Sequence, residues 1–409
     1  MRSILELELS SMAHGGEALG RYEGKVVFVG YAIPGERVRV EVVEDHRRWS
    51  RARLLEVLEP SPHRVTPPCP YFGTCGGCQW QHIEYEAQLA LKGEVLRDQL
   101  QRLGHFADLP VAEVIPSPNP WRYRNQLQLS IAPDGGAGFL DASGARMVPI
   151  ETCLLPHPLV WEMVGMMEME GMEGLLQRLR LRAGIRTGEQ MMVFETEGDI
   201  APGIEVDVPI SCVLLEDGRP VNLIGRNWLT EELAGRRFRI SAGSFFQVNT
   251  PQAERLIELV GQFLDPQGNE TLLDLYCGVG TFALSLAHRV KRVIGVESHG
   301  PAVADAWANA HEDEPVEFIE GKVEEVLPQL DLPLDAVIVD PPRGGCGSEV
   351  LGELIRLSPS KLIYVSCDPA ILARDARLLA DAGYHLERVQ PVDMFPQTYH
   401  IESVSLFLR

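Results

Sequence analysis

From Leu272 onward the chain alternates short apolar runs with helix-forming stretches, and this alternation restricts the fold more than any other feature of its 409 residues. LLDLYCG, VIGVE, VEFIEG, AVIVD and KLIYVSC are apolar on both sides, as strands covered on both faces of a parallel sheet must be. The helix TFALSLAHRV, helices near 301–311, 323–330 and 349–357, and one at 369–381 lie between or after them, the crossovers that parallel strands require. YHLERVQPVDMF and SVSLFLR have no helix between them and form a hairpin-like pair. The expected fold is α/β: a doubly wound, mostly parallel seven-stranded sheet over residues 241–409.

The first 60 residues read differently. ILELELS, a glycine-rich turn, KVVFVGYAIPGERVRVEVVED and RARLLEVLEP give five short strands, enough for a small β-barrel of the oligonucleotide-binding type. SPHRVTPPCP is a proline-rich linker. Residues 61–240 form a central domain, mostly β after 121, with helical periodicity over 84–103 and a Met-rich helical interruption at 160–182. Met163, Met166 and Met167 there read as core filler. The helix at 84–103 is free to pack on the last domain.

Chemistry concentrates at the carboxyl ends of the late strands. DLYCGVGT closes the first of them with a glycine turn at a helix N-terminus, where a ligand can approach the backbone. Glu297, ending VIGVE, is placed to accept both ribose hydroxyls. With AVIVDPPR following, this favours S-adenosylmethionine (SAM) over NAD, and the terminal strand pair is the methyltransferase variant of the fold. Tyr276 presents a face to the ligand, and Cys277 is a small spacer. Asp340 and Cys367 end the fourth and fifth strands and so open on the same edge. A thiolate beside a methyl donor answers a specific problem. Carbon 5 of uracil is a poor nucleophile until a thiolate adds at carbon 6, and covalent catalysis then divides a hard step into easier ones. Glu402 is the candidate proton acceptor, with His400 as the alternative. Arg343 is available to Asp340, to the uracil or to its phosphate. An arginine after DPP, where an aromatic would stack a target base, argues against amino-group methylation, and Cys346 lies too far out for the cytosine-5 arrangement.

DLYCGVGTF, VESHGPAV, DPPRGG, YVSCDPAILARD, QTYHIESVSL and AGSFFQVNT together resemble the RNA uracil-5 methyltransferase family over essentially the whole chain. The resemblance implies that Gln247, Tyr276, Glu297 and Asp340 contact SAM, that Cys367 is the nucleophile and that Glu402 is the general base. It also implies that residues 1–60 are a TRAM RNA-binding barrel. Thr281 and Lys322 depart from the usual pattern, the latter near the adenine end.

Cys69, Cys75 and Cys78 form a C-x5-C-x2-C group, with Cys153 as the candidate fourth ligand. From spacing, an iron–sulfur cluster, zinc and free thiols all stay open. The resemblance implies a 4Fe-4S cluster, as in the family's ribosomal members, with a structural or RNA-docking role.

The net charge of −21 opposes RNA bound over the general surface. Residues 1–127, however, hold 15 basic and 16 acidic groups, so the barrel and linker are nearly neutral. Arg47, Arg48, Arg51 and Arg53 around Trp49 offer RNA a local stripe, or are a solvated strand edge. No apolar run is long enough for a membrane helix and no secretory leader is visible, so the reducing cytosol is the expected compartment; a monomer is expected as well. The resemblance makes 23S ribosomal RNA the leading substrate, because the cluster and the TRAM-like barrel accompany the family's ribosomal type, with the T-loop of tRNA as the alternative. A non-catalytic RNA-binding iron–sulfur protein and a methyltransferase acting on a small molecule or protein are the rival readings.

Overall fold

The computed structural model describes residues 3–132, 136–166, 176–199, 201, 204 and 207–409. Strands β1 (Ile4–Met12), β2 (Ala18–Tyr22), β3 (Lys25–Val29), β4 (Arg37–Asp45) and β5 (Trp49–Glu59) close into a barrel in the order β1-β2-β3-β5-β4. Period-two alternation turns Leu7, Leu9, Val27, Val29, Val38 and Val40 into its core. The outward positions carry charge, with Arg39 bridging Glu6 and Glu56.

Helix α1 (Tyr85–Arg102) leads to a mixed sheet of β6 (Gln126–Ile131), β7 (Ala137–Leu140), β8 (Met147–Pro149), β9 (Leu176–Ala183), β10 (Gln190–Thr196), β11 (Ile210–Glu216) and β12 (Arg219–Ile224). Its order is β12-β11-β10-β9-β6-β7-β8. The Met-rich interruption needs correction at its end, and its residues 167–175 lie outside the described ones. Helix α2 spans only Pro158–Gly165, and β9 occupies the end of the stretch expected to be helical. LQRLRLRA pairs antiparallel with both β6 and β10, and that pairing buries Leu179 and Leu181 in the sheet's core. Met163 is core, as expected, but Met166 is exposed at the helix end, and Met167 lies outside the described residues. A hairpin of β13 (Trp228–Leu233) and β14 (Arg236–Ser241) follows.

The last region opens with a helix the sequence reading did not anticipate, α3 (Thr250–Leu264), entered through Asn249 and a proline in the first turn. Then come β15 (Thr271–Leu275), α4 (Thr281–Leu286), β16 (Arg292–Glu297), α5 (Gly300–Asn309), β17 (Val316–Glu320) and α6 (Val323–Val326). They are followed by β18 (Ala336–Val339), α7 (Ser348–Leu357), β19 (Lys361–Ser366), α8 (Pro369–Asp381), β20 (His385–Val392) and β21 (Glu402–Leu408). The sheet order is β17-β16-β15-β18-β19-β21-β20, with β21 antiparallel to both neighbours. The apolar runs are buried on both faces, so each face of the sheet feeds its own core.

Helix α1 belongs to this last layer. It packs on α8, and Leu96 and Leu100 are fully buried with the sheet's side chains. One turn earlier Lys92 Nζ, also fully buried, meets Asp393 Oδ1 at 2.6 Å and the Phe395 carbonyl at 3.0 Å. Tyr85 donates to the other Asp393 oxygen at 2.7 Å, and Gln88 and Gln397 are doubly bonded to each other. Gln252 and Asn249 complete the network on the carbonyls of Asp393 and Met394. Removing one partner of a buried ion pair leaves the other charge uncompensated. Lys92→Met is therefore expected to cost about 3–5 kcal/mol of stability, to be read as a fall in the urea midpoint.

Candidate active site

Strand β15 delivers its chain into a tight turn. Tyr276 takes φ +62°, and Gly280 takes φ +84° at the start of α4, where a Cβ would lie 2.8 Å from Leu284 Cδ1. Glu297, at the end of β16, accepts hydrogen bonds from the Gly278 amide at 3.1 Å and the His299 amide at 2.7 Å. The acid is thereby oriented against the glycine loop. Tyr276, Ser298, Lys322, Val323 and Pro342 line a cavity of about 500 Å³ beside it. Lys322 pairs with Glu325 at 3.6 Å and is largely exposed, so its ammonium lies at the rim. Thr281 begins α4 and its carbonyl accepts from Ser285 Oγ.

Asp274 is fully buried within β15, a position the sequence reading quoted without assigning it a role. A carboxylate in the middle of the apolar strand LLDL was the available signal, since such groups are rarely buried unpaired. Oδ2 accepts from the Ala283 amide at 2.9 Å, tying strand to helix, while Oδ1 is buried with no hydrogen-bond partner among the described residues. Burial, with the charges of Asp340 and Glu297, pushes this carboxyl up to about 8 despite the Ala283 amide. Burial likewise pushes Asp340 up to about 7.

Cys367 and Glu402 come together through strand register. Ser366 of β19 is paired with Ser403 of β21, and the next antiparallel step places Cys367 beside Glu402 at the carboxyl edge. Burial pushes the Cys367 thiol up to about 12, Glu402, Asp340 and Asp368 push the same way, and Arg343 opposes them. Burial first, then Asp340, holds the Glu402 carboxyl well above the ordinary carboxylate range. His400 is driven down to about 4 by burial and by the cations Arg343, Lys92 and Arg124, so it is a neutral imidazole. Among the described residues Arg343 forms no ion pair with Asp340; it is exposed, and its charge is felt at Cys367 and His400.

Gln247 is reached from the central domain. Asn125 Nδ2 donates to the Gln247 carbonyl at 2.8 Å, and the Asn125 amide donates to the Val248 carbonyl at 2.9 Å. Nothing in RYRNQ signalled this contact, because it joins segments more than 120 residues apart. On the other side of Asn125, Arg124 lines a cavity of about 290 Å³ together with Cys69, Cys75, Cys78 and Cys153. Burial pushes Cys78 up to about 12 and Cys153 up to about 11, and Arg124 opposes both shifts. Among the described residues no group of three or more His, Cys, Asp or Glu side chains is arranged to hold a metal ion.

The comparisons with known proteins agree on the family. Residues 221–409 match the family model for tRNA (uracil-5-)-methyltransferase, and residues 2–55 match the TRAM domain. An uncharacterized RNA methyltransferase of Thermosynechococcus vestitus is 38% identical over 99% of this chain and 98% of its own. One from Halalkalibacterium halodurans is 35% identical over 98% and 96%. The crystal structure of Pyrococcus abyssi tRNA (uracil-54, C5)-methyltransferase in complex with S-adenosyl-L-homocysteine superposes over 100% of both chains, with a TM-score of 0.75 and 29% identity. With its barrel, its methyltransferase sheet and relatives matched along nearly its full length, the chain belongs to the SAM-dependent RNA uracil-5 methyltransferase family.

Proposed function

We propose that the protein methylates carbon 5 of a uridine in RNA through a transient bond between Cys367 and carbon 6 of the uracil ring. The observation that carries this reading is the β19–β21 register, which sets a thiol and a buried carboxyl side by side on the edge that also holds Asp340, Tyr276 and Glu297. Gln247, Tyr276, Glu297 and Asp340 would hold SAM. The unpartnered Asp274 oxygen, and carboxyls raised by burial and, for Asp274, also by the neighbouring acids, suit a ligand bearing a sulfonium and an ammonium.

When bound, SAM supplies the methyl group that carbon 5 accepts. The residues of this chain do the rest. Cys367, which is only partly buried, gives its proton to solvent, and the thiolate sulfur bonds to carbon 6, which moves the ring's π electrons toward carbon 5. Once carbon 5 carries both the methyl and its original proton, Glu402 takes that proton. The electrons return to the 5–6 bond and expel the Cys367 thiolate. Burial gives Glu402 a high proton affinity, which makes its ionised form a strong acceptor in a site shielded from water. A target inside folded RNA has to be turned out of its stack to reach this edge. The barrel and the central domain are the surfaces that would hold the surrounding RNA.

Ribosomal 23S RNA is the first substrate to test, on the strength of the four cysteines and the barrel. Transfer RNA is the second reading, favoured by the likeness to the Pyrococcus abyssi tRNA (uracil-54, C5)-methyltransferase. The four cysteines would hold a 4Fe-4S cluster. The shared cavity and the half-buried cation Arg124 suit an anionic group, and when bound the cluster would supply a covalent brace between the linker loop and the segment around Cys153. Among the described residues no helix is long and apolar enough to cross a membrane.

With methyl-labelled SAM and unmodified ribosomal and transfer RNA, digestion to nucleosides should yield labelled 5-methyluridine. The RNA fraction that carries the label decides between the two substrates, and its absence from both overturns the proposal. Cys367→Ala should lose at least about a thousandfold in kcat. Glu402→Gln should slow turnover by about 10²–10⁴ and accumulate a denaturation-resistant protein–RNA adduct on gels.

SAM affinity should depend on pH. A cation bound beside Asp340 and Asp274 lowers the pKa of carboxyls that lie near 7 and 8 in the free protein. Binding then releases protons, so affinity rises with pH up to about 8 and weakens below it, by at most about tenfold per pH unit for each proton released. Calorimetry with SAM and with S-adenosylhomocysteine separates the sulfonium from the amino group the two share. Equal pH dependence for both ligands would remove the role assigned to the sulfonium. For the cysteine site, anaerobic purification should give a brown protein with about four irons per chain, lost in Cys78→Ser. A folded, colourless, iron-free wild type would end that assignment.

A further inference from the structure

The loop joining β1 to β2 leaves the barrel and is built into the catalytic region. Met12 is buried in a cluster with Trp80, Ile83, Leu91 and Ile401. Gly16, at φ +84°, offers its carbonyl to Trp80 Nε1 at 3.1 Å, and a Cβ there would lie 2.7 Å from Tyr399 Cβ. Anchored on both sides, the loop extends His14 to Asp368, with Nε2 3.4 Å from Oδ2 and about a third of each side chain exposed. Asp368 directly follows Cys367. Its Oδ1 accepts from the amides of Ala370 and Ile371 at 2.9 and 3.0 Å, capping α8. Its own amide and carbonyl are bonded to Ser366 Oγ at 3.2 and 3.1 Å. One carboxylate oxygen is therefore committed to the helix and the other to the barrel, and Cys367 is strung between Ser366 and Asp368.

We propose that His14 is a positioning residue for methylation, holding Asp368 and through it the Cys367 side chain, so that the docked barrel is part of the catalytic unit. This rests on the reading of Cys367 as the nucleophile. The groups whose charge reaches the thiol are Glu402, Asp340 and Asp368 on the acidic side and Arg343 on the basic side. Asp368 disfavours the thiolate, and a partner that engages its carboxylate weakens that effect. Against burial, His14 and the two amides hold the Asp368 carboxyl below its ordinary range, as a group committed to those partners should be. Losing the imidazole frees Asp368 to rotate and leaves its charge turned on the thiol. A loop that only anchored the barrel would instead affect RNA affinity and stability.

The test compares wild type, His14→Ala, His14→Gln, Asp368→Asn, the double variant His14→Ala/Asp368→Asn, and Cys367→Ala. Two readouts are taken: kcat and KM with RNA, and the rate at which iodoacetamide alkylates Cys367 in RNA-free protein, followed by peptide mass across about pH 6.5–9.5. His14→Ala is expected to lower kcat about tenfold with KM for RNA changed by less than about twofold. It should also slow alkylation near neutral pH and move the alkylation profile to higher pH. His14→Gln, which retains a hydrogen bond, should recover part of kcat, and it carries the test if His14→Ala melts. In the Asp368→Asn background the His14→Ala change should be nearly silent. Wild-type kcat and alkylation in His14→Ala, or a loss confined to KM, overturns the inference. If Cys367→Ala is inactive in that case, only the role of His14 fails. If Cys367→Ala remains active, the nucleophile assignment and this inference fall together.

Discussion

The buried pair of Lys92 and Asp393 is the contact on which the rest of the catalytic edge hangs. Two opposite charges with no exposure survive only if their remaining hydrogen-bonding capacity is filled, and here Tyr85 bonds the carboxylate and the Phe395 carbonyl the ammonium, while Gln252 takes the Asp393 main-chain carbonyl. The consequence is geometric. Helix α1 is fixed to the segment between β20 and β21, and that segment carries Gln397, His400 and, at the start of the last strand, Glu402. The same network reaches Asn249, two residues beyond Gln247. A connecting helix that could have served only as a spacer thus sets the position of the carboxyl and of the loop assigned to the cofactor.

The edge is an acidic pocket with few cations. Burial raises Asp274, Asp340 and Glu402 toward their neutral forms, with the charge of Asp340 adding to the shift of the other two, and the Cys367 thiol is raised by burial and by Glu402, Asp340 and Asp368. A positively charged ligand changes the balance for every group at once, because each of the three carboxyls and the thiol gains from a nearby cation. On the proposed reading, the arrangement would link the reactivity of Cys367 to occupancy of the SAM site.

Much of this was legible in the sequence, for a physical reason: strands buried on both faces must be apolar throughout, and their carboxyl ends are the places where glycine, cysteine and carboxylates then stand out. The barrel was equally plain from period-two alternation. What stayed hidden depended on distant partners. Helix α3 follows a loop whose motif drew attention to Gln247 and away from the periodicity after it. Strand β9 lies behind a Met-rich stretch with helical character, and its arginine–leucine alternation becomes decisive only when β6 and β10 flank it. Asn125 and His14 are ordinary polar residues in their own neighbourhoods and acquire a role only where Gln247 and Asp368 meet them.

The contacts that close the reactive edge also have a bearing on how the protein forms. Lys92 and Asp393 are 301 positions apart, and Gln88 and Gln397 are 309 apart. Contacts at such separations are slow to form, because the entropy of ordering the intervening chain is lost before the contact returns anything. Locally paired elements such as the barrel and the βα units can assemble well before this edge does. A chain caught at that stage would carry a cysteine without its neighbouring carboxyl and a glycine loop without Gln247. Competence for chemistry should then arrive late and all at once, as a property of the finished molecule rather than of any one of its domains.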